Sequence, residues 1–254
     1  KFFFLLIGGG EPFYRDDLPE IIKTYYENNH IQNVSIPTNG IDTGKIVNLT
    51  NKILDICPEL SVSISISLDG TAEVHDEIRN MKGAFKNAIK TFYELSALKQ
   101  RNLFIGIQTT VSAYNQKRIK ELYQYVKNDL NAQYFSFMLI RGEPKDHAIK
   151  NVDIKYYEEI NKLIYEEDGI KDKSILSALL SCDSAQQVLR SRRRKIRSDL
   201  IAKIAKENKF FIPCYALQLD AVMYENGDLF PCELLNKKVG NLRDYNYNFK
   251  AIWK

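Results

Sequence analysis

Three groups of residues have the types and spacing to do chemistry. The first is Gly8-Gly9-Gly10-Glu11-Pro12, which ends the apolar run Phe2 to Ile7. Glycines at a strand tip let a ligand approach the backbone and leave N–H and C=O groups free to bond it. Pro12 fixes the exit of the chain, and the carboxylate of Glu11 suits a cationic ligand group. Neither phosphate-loop pattern, G-x4-G-K-[ST] or G-x-G-x-x-G, occurs here. The second group is "SLDGTAEVHDEIRN", where Ser67, Asp69 and Gly70 end a strand and His75, Asp76 and Arg79 follow. Arg79 is a fixed cation able to grip a carboxylate through two bonds, or to make a surface ion pair. The third is Cys214, twelve residues, Gly227, four residues, Cys232. Two soft thiolates suit iron–sulfur or zinc ligation but cannot complete such a site alone; buried free thiols are the other reading.

These residues need elements to place them. Phe2 to Ile7 reads as a strand buried on both faces. Asp16 or Asp17 is an expected cap for the next helix, with Pro19 in its first turn. Strands are then expected in "IQNVSIPTNG", "LSVSISISLDG", "NLFIGIQTTVS" and "AQYFSFMLIRG", with helices between them and a further helix in "KYYEEINKLIYEE". Repeated βα units imply a parallel sheet, which this pattern alone leaves open or closed into a barrel. Residues 175–208 read as helix. The last forty or so residues change character: "ALQLDAVMYENGDLFPCE" is two β runs joined at Asn226-Gly227, a hairpin signal.

Polar residues fall at every strand C-terminal end: Glu11, Thr38-Asn39, Ser67 with Asp69, Thr109-Thr110, and Arg141. That edge carries the ligand in parallel α/β folds. Ser, Thr, Asn and Asp also serve turns and caps, so each alone says little; five strands in succession point to a site.

The 254 residues are 44% hydrophobic and 27% charged, enough for a real core and against disorder. A net charge of +4 does not by itself imply a nucleic-acid partner. The basic run "RSRRRKIRSDL" reads first as a solvated helix face and second as a surface for an anionic partner. No apolar stretch reaches the roughly 20 residues of a membrane span. The expected setting is cytoplasmic, where the four cysteines are kept as thiols, ligands or nucleophiles more readily than as disulfides. Cys57, at a helix end, and Cys182, in a Ser-rich turn, read as structural. Among His30, His75 and His147 no pair has metal-ligand spacing, which disfavours a zinc hydrolase.

Taken in order, these motifs resemble the radical S-adenosylmethionine (SAM) enzymes, and among them the subfamily with a C-terminal SPASM or twitch extension. The resemblance runs through Gly9-Gly10-Glu11-Pro12, Thr38-Asn39-Gly40, the "SLDG…HDEIR" segment, the C-x12-G-x4-C run and "GNLRD…IW". It implies an α/β fold: a partial (β/α)6 TIM-like barrel lacking its first βα unit, with a small C-terminal β-hairpin extension. The expected division is a barrel core over 1–150, a helical connection over 151–210 and an incomplete auxiliary-cluster domain over 211–254.

The resemblance assigns Gly9, Gly10 and Glu11 to the amino group of the SAM methionine, and Ser67 with Arg79 to its carboxylate. Thr38, Asn39, Asp69 and Thr110 complete the expected SAM site. Cys214 and Cys232 would open an auxiliary [4Fe–4S] site whose other ligands lie outside this chain. Glu233 is the candidate base and Arg141 a candidate substrate contact; an exposed hairpin carboxylate and a structural ion pair are their ordinary alternatives. The implied chemistry is reductive cleavage of SAM to a 5′-deoxyadenosyl radical that abstracts a substrate hydrogen, with flavodoxin or ferredoxin as electron donor. A peptide or protein side chain is the first expected substrate and a small molecule (sugar, cofactor precursor or lipid head group) the second. A cluster-less module binding peptide or nucleic acid is the reading from another class. One departure stands out. The Cys-x3-Cys-x2-Cys motif of the family is absent. Its place is upstream of the GGEP turn, so the cluster ligands are expected before Lys1, and the chain from Lys1 to Lys254 is not expected to turn over alone.

Overall fold

The computed structural model describes residues 4–167 and 182–253. Two compact units emerge, Lys1–Ile140 with Ala148–Glu167, and Arg141–His147 with Asp168–Lys254.

The first unit is built on five parallel strands: β1 (Phe4–Leu6), β2 (Asn33–Thr38), β3 (Ser61–Ser67), β4 (Leu103–Val111) and β5 (Phe135–Leu139). Their spatial order is simply β1-β2-β3-β4-β5. A doubly wound sheet reverses direction at a switch point; this one does not, and its unreversed order is that of a barrel wall. The chain therefore forms a curled half-barrel, as the motif order implied and as strand count alone could not decide.

Helices α1 (Leu18–Asn29), α2 (Thr43–Ile56), α3 (Ala72–Ile78), α4 (Ala84–Ala97), α5 (Ile119–Asn128) and α6 (Ile154–Glu167) fill the connections and the stretch after β5. The core lies between helices and sheet. Val34, Ile36, Val62, Ile64, Ile66, Leu103, Ile105 and Ile107 pack there against Ile46, Ile53, Ala88 and Leu95. The intervening positions of β3 are Ser61, Ser63, Ser65 and Ser67, and strand periodicity puts them on the opposite face of the sheet. On that face the ring of Tyr134 covers Gly106, where a Cβ would come within 2.5 Å of the ring, while its hydroxyl donates to Ile64 C=O at 2.9 Å.

Two local expectations need correction. The first strand is not buried on both faces: Phe4 and Leu6, which share one face by strand periodicity, are exposed, and among the described residues β1 pairs with β2 alone. Asp17 occupies the N-cap of α1 but makes no side-chain cap bond. Its carboxylate instead takes two bonds from the guanidinium of Arg15, a charge-assisted pairing that outcompetes a single N–H.

In the second unit a helix spans Cys182–Glu207, so Cys182 lies in a helix rather than in a turn. The earlier part of the expected 175–208 helix lies outside the described residues. The hairpin at Asn226-Gly227 is present, with β6 (Val222–Met223) antiparallel to β7 (Asp228–Phe230). A third strand unforeseen in the sequence, β8 (Gly240–Asn241), pairs with β7. Two residues carry too little pattern to read, but the amide of Asn241 pins them by donating to Asp228 Oδ1 (2.7 Å) and Asn226 C=O (3.0 Å). No helix among the described residues is long and apolar enough to cross a membrane.

Candidate functional site at the C-terminal edge of the sheet

Glu11 ties the first two strand tips together. Its Oε1 accepts from the Thr38 hydroxyl (2.9 Å) and from the Phe13 N–H (3.2 Å), and its Oε2 accepts from the Asn39 N–H (2.7 Å). A carboxylate offers about four acceptor positions, so one remains for a cationic ligand group. Before it, a Cβ added at Gly8, Gly9 or Gly10 would meet nothing within 4 Å, and Gly9 sits at φ +114°. The glycines border open space, as a close ligand approach requires. Gly40 is different: at φ +72°, an added Cβ would lie 2.9 Å from Ala88 Cα. There the exit of β2 presses on α4, and Thr91 Oγ1 donates to Gly40 C=O at 2.7 Å.

The next two strand tips converge on Asp69, which is buried. Arg79 Nη2 lies 2.7 Å from Asp69 Oδ2, and the Thr110 N–H donates to Oδ1 at 3.2 Å. The Asp69 N–H donates to His75 Nδ1 at 3.0 Å, and its C=O accepts from Asn115 Nδ2 at 2.9 Å. Arg79 caps the C-terminus of α3, and a third of its side chain stays exposed (32%). It is thus half committed, with one donor on Asp69 and others left over. Its partner is Asp69; the hydroxyl of Ser67 has no protein partner among the described residues. Thr109, expected beside Thr110, instead donates from its hydroxyl to Leu68 C=O at 2.7 Å, a structural bond.

Burial holds the pKa of His75 below its ordinary value and outweighs the opposing pull of Asp69. The ring is therefore neutral, as an Nδ1 that accepts a hydrogen bond must be. Asp76 is held below the usual carboxylate range by the N–H groups of Phe85 and Gly83, which fastens α3 to the start of α4. The role of His75 and the whole contribution of Asn115 escape a sequence reading. Asn115 lies in a polar turn after β4, with no spacing rule to single it out.

In the second unit, Arg141 and Glu233 form an ion pair with each other. Cys214 is exposed and Cys232 half-buried, both as free thiols. No cluster of three or more His, Cys, Asp or Glu side chains able to hold a metal ion occurs among the described residues. These two cysteines do not make an iron–sulfur site without further ligands. Cys57 is fully buried, and burial pushes its thiol up to about 11, so it is inert, in keeping with a structural reading.

At the strand tips, the donor set does fit a zwitterionic ligand. A carboxylate with a spare acceptor position and a guanidinium with spare donors lie at one edge of one sheet, beside an open glycine turn. The methionyl end of SAM carries the complementary ammonium and carboxylate.

No family model matches the chain. Over 255 residues it is 28% identical to AdoMet-dependent heme synthase of Methanosarcina barkeri, covering 98% of this chain and 68% of the relative. It is 26% identical over 250 residues to the antilisterial bacteriocin subtilosin biosynthesis protein AlbA of Bacillus subtilis, covering 95% of this chain and 47% of that one. Among solved structures it is similar to anSMEcpe with bound AdoMet (TM-score 0.61, 16% identity, 99% of this chain and 63% of that chain). The same protein with AdoMet and the Kp18Cys peptide gives a TM-score of 0.58 at 15% identity, over 99% of this chain and 66% of that one. At such identity the structural likeness speaks for the fold.

Proposed function

We propose that this chain, a member of the radical SAM superfamily among SPASM-type relatives, binds SAM at the C-terminal edge of its sheet and modifies a peptide or protein side chain. When bound, SAM and a [4Fe–4S] cluster supply a radical that removes a hydrogen atom from the substrate. The residues of this chain bind and orient. Glu11, steadied by Thr38 and Asn39, receives the methionyl ammonium. Arg79, steadied by Asp69, receives the carboxylate together with the hydroxyl of Ser67. Gly9 and Gly10 let the ligand lie against the backbone, where a side chain would stand in its way. Glu233 is the candidate proton acceptor and Arg141 the candidate contact for an anionic substrate.

The observation that carries this reading is the presence of opposite charges at the same edge of the sheet, Glu11 beyond β1 and Arg79 held by Asp69 beyond β3. Peptide as substrate is supported by AlbA, whose name places it in bacteriocin biosynthesis. A small-molecule substrate is the second reading, favoured by the likeness to a heme synthase over 98% of this chain. The test is anaerobic reduction of the full-length protein, reconstituted with iron and sulfide, followed by chromatography for 5′-deoxyadenosine. Formation of that product supports the reading; a protein that binds iron and yet cleaves no SAM would overturn it.

A further inference from the structure

Asp69 is held at every polar atom it has. Both carboxylate oxygens, the N–H and the C=O are each bonded to a different residue: Arg79, Thr110, His75 and Asn115. Those four come from α3, from β4 and from the turn beyond β4. Asn115 is itself saturated. Its Nδ2 donates to Asp69 C=O (2.9 Å) and Thr110 C=O (2.8 Å), while its Oδ1 accepts from the Ser112 N–H (2.8 Å) and hydroxyl (3.3 Å). Two donors and two acceptor positions are all that a side-chain amide has. A buried amide with nothing left over fixes one geometry, since any shift strands a polar group in the interior. It joins the tip of β3 to the tip of β4. His75, also buried, accepts the Asp69 N–H and thereby turns the residue that carries the carboxylate.

We propose that Asn115 and His75 are positioning residues for the Asp69–Arg79 pair, fixing the guanidinium so that its spare donors meet the carboxylate of bound SAM. The inference rests on the reading of this edge as the SAM site. A knot that served only folding would affect every ligand of the edge alike. One that aims Arg79 affects ligands that carry a carboxylate and spares those that lack it.

Two ligands separate these roles. S-adenosylhomocysteine carries the amino-acid end, and 5′-methylthioadenosine has the same nucleoside without it. Calorimetric titration of the full chain with each gives an affinity ratio. The wild type is expected to favour S-adenosylhomocysteine by at least about tenfold, as a charge-assisted pair of bonds would give. His75→Leu and Asn115→Ala are expected to lower that ratio by about fivefold or more with 5′-methylthioadenosine affinity unchanged. His75→Asn, which keeps an acceptor oxygen near the position of Nδ1, is expected to retain it. Thermal melts report folding; should Asn115→Ala fail to fold, Asn115→Asp removes the amide donors while keeping the shape. Ratios that stay at the wild-type value in His75→Leu and the Asn115 variant, or affinities for both ligands that fall together, overturn the positioning role alone. A wild type with no preference, or an Arg79→Ala variant that keeps it, overturns the underlying reading of the site as well.

Discussion

The guanidinium of Arg141 and the carboxylate of Glu233 are partners in one ion pair. Sequence motifs suggested separate tasks for them, a substrate contact and a base. About half of each side chain is exposed (52% and 51%), and pairs in that setting are worth about 0–1 kcal/mol. A pair so weakly held would open at little cost if Arg141 is to meet an anionic substrate, as proposed above. A double-mutant cycle on Arg141→Met and Glu233→Gln, followed by urea denaturation, should give a coupling energy below about 1 kcal/mol. A coupling of several kcal/mol would mark the pair as a fixed structural strut and remove Glu233 as an available base.

The glycines of the two strand tips should behave in opposite ways. Gly10→Ala places a methyl group in open space and should leave stability within about 0.5 kcal/mol of wild type, while weakening S-adenosylhomocysteine binding. Gly40→Ala puts a Cβ at positive φ and 2.9 Å from the backbone of Ala88, and should cost about 1–3 kcal/mol. Denaturation midpoints with calorimetry check both. A Gly10→Ala protein that binds the ligand normally would argue against close approach at this turn.

Acid should loosen the α3 segment before the carboxylates titrate. The pKa of His75 is lowered from 6.5 in the folded protein, so the unfolded chain takes up that proton first. The contribution of neutral His75 is complete above about pH 6.5 and is lost as the pH falls below it, toward the folded value. Asp76, whose pKa is lowered from 3.8, loses its contribution only at lower pH. Urea midpoints measured from pH 7.5 down to 5 should therefore decline in the wild type and decline less in His75→Asn. Equal slopes in the two proteins would contradict a buried neutral imidazole.

Much of the fold is legible because its signals are local. Alternating βα units, the Asn226-Gly227 turn and the apolar stripes of α2 and α4 each declare themselves within a dozen residues. The half-barrel needed more, since an open and a closed sheet share the same alternation; only the order of the motifs favoured the barrel. Glu11, Thr38 and Asn39 were nominated for a ligand and turn out to bond one another first, which the sequence cannot display because the partners are 27 and 28 residues apart. Asn115 was invisible for the same reason. It bonds Asp69 across 46 residues, and a lone Asn in a polar turn carries no period. The strand β8 is too short for pattern and is fixed by one side-chain amide.

The SAM site at the sheet edge is tested most directly by a crystal structure of the protein with S-adenosylhomocysteine. The ligand is expected at the C-terminal edge of the sheet, its ammonium within hydrogen-bond distance of the Glu11 carboxylate and its carboxylate on Arg79. A ligand seated elsewhere, or an edge left empty at a concentration that saturates binding in solution, would contradict it.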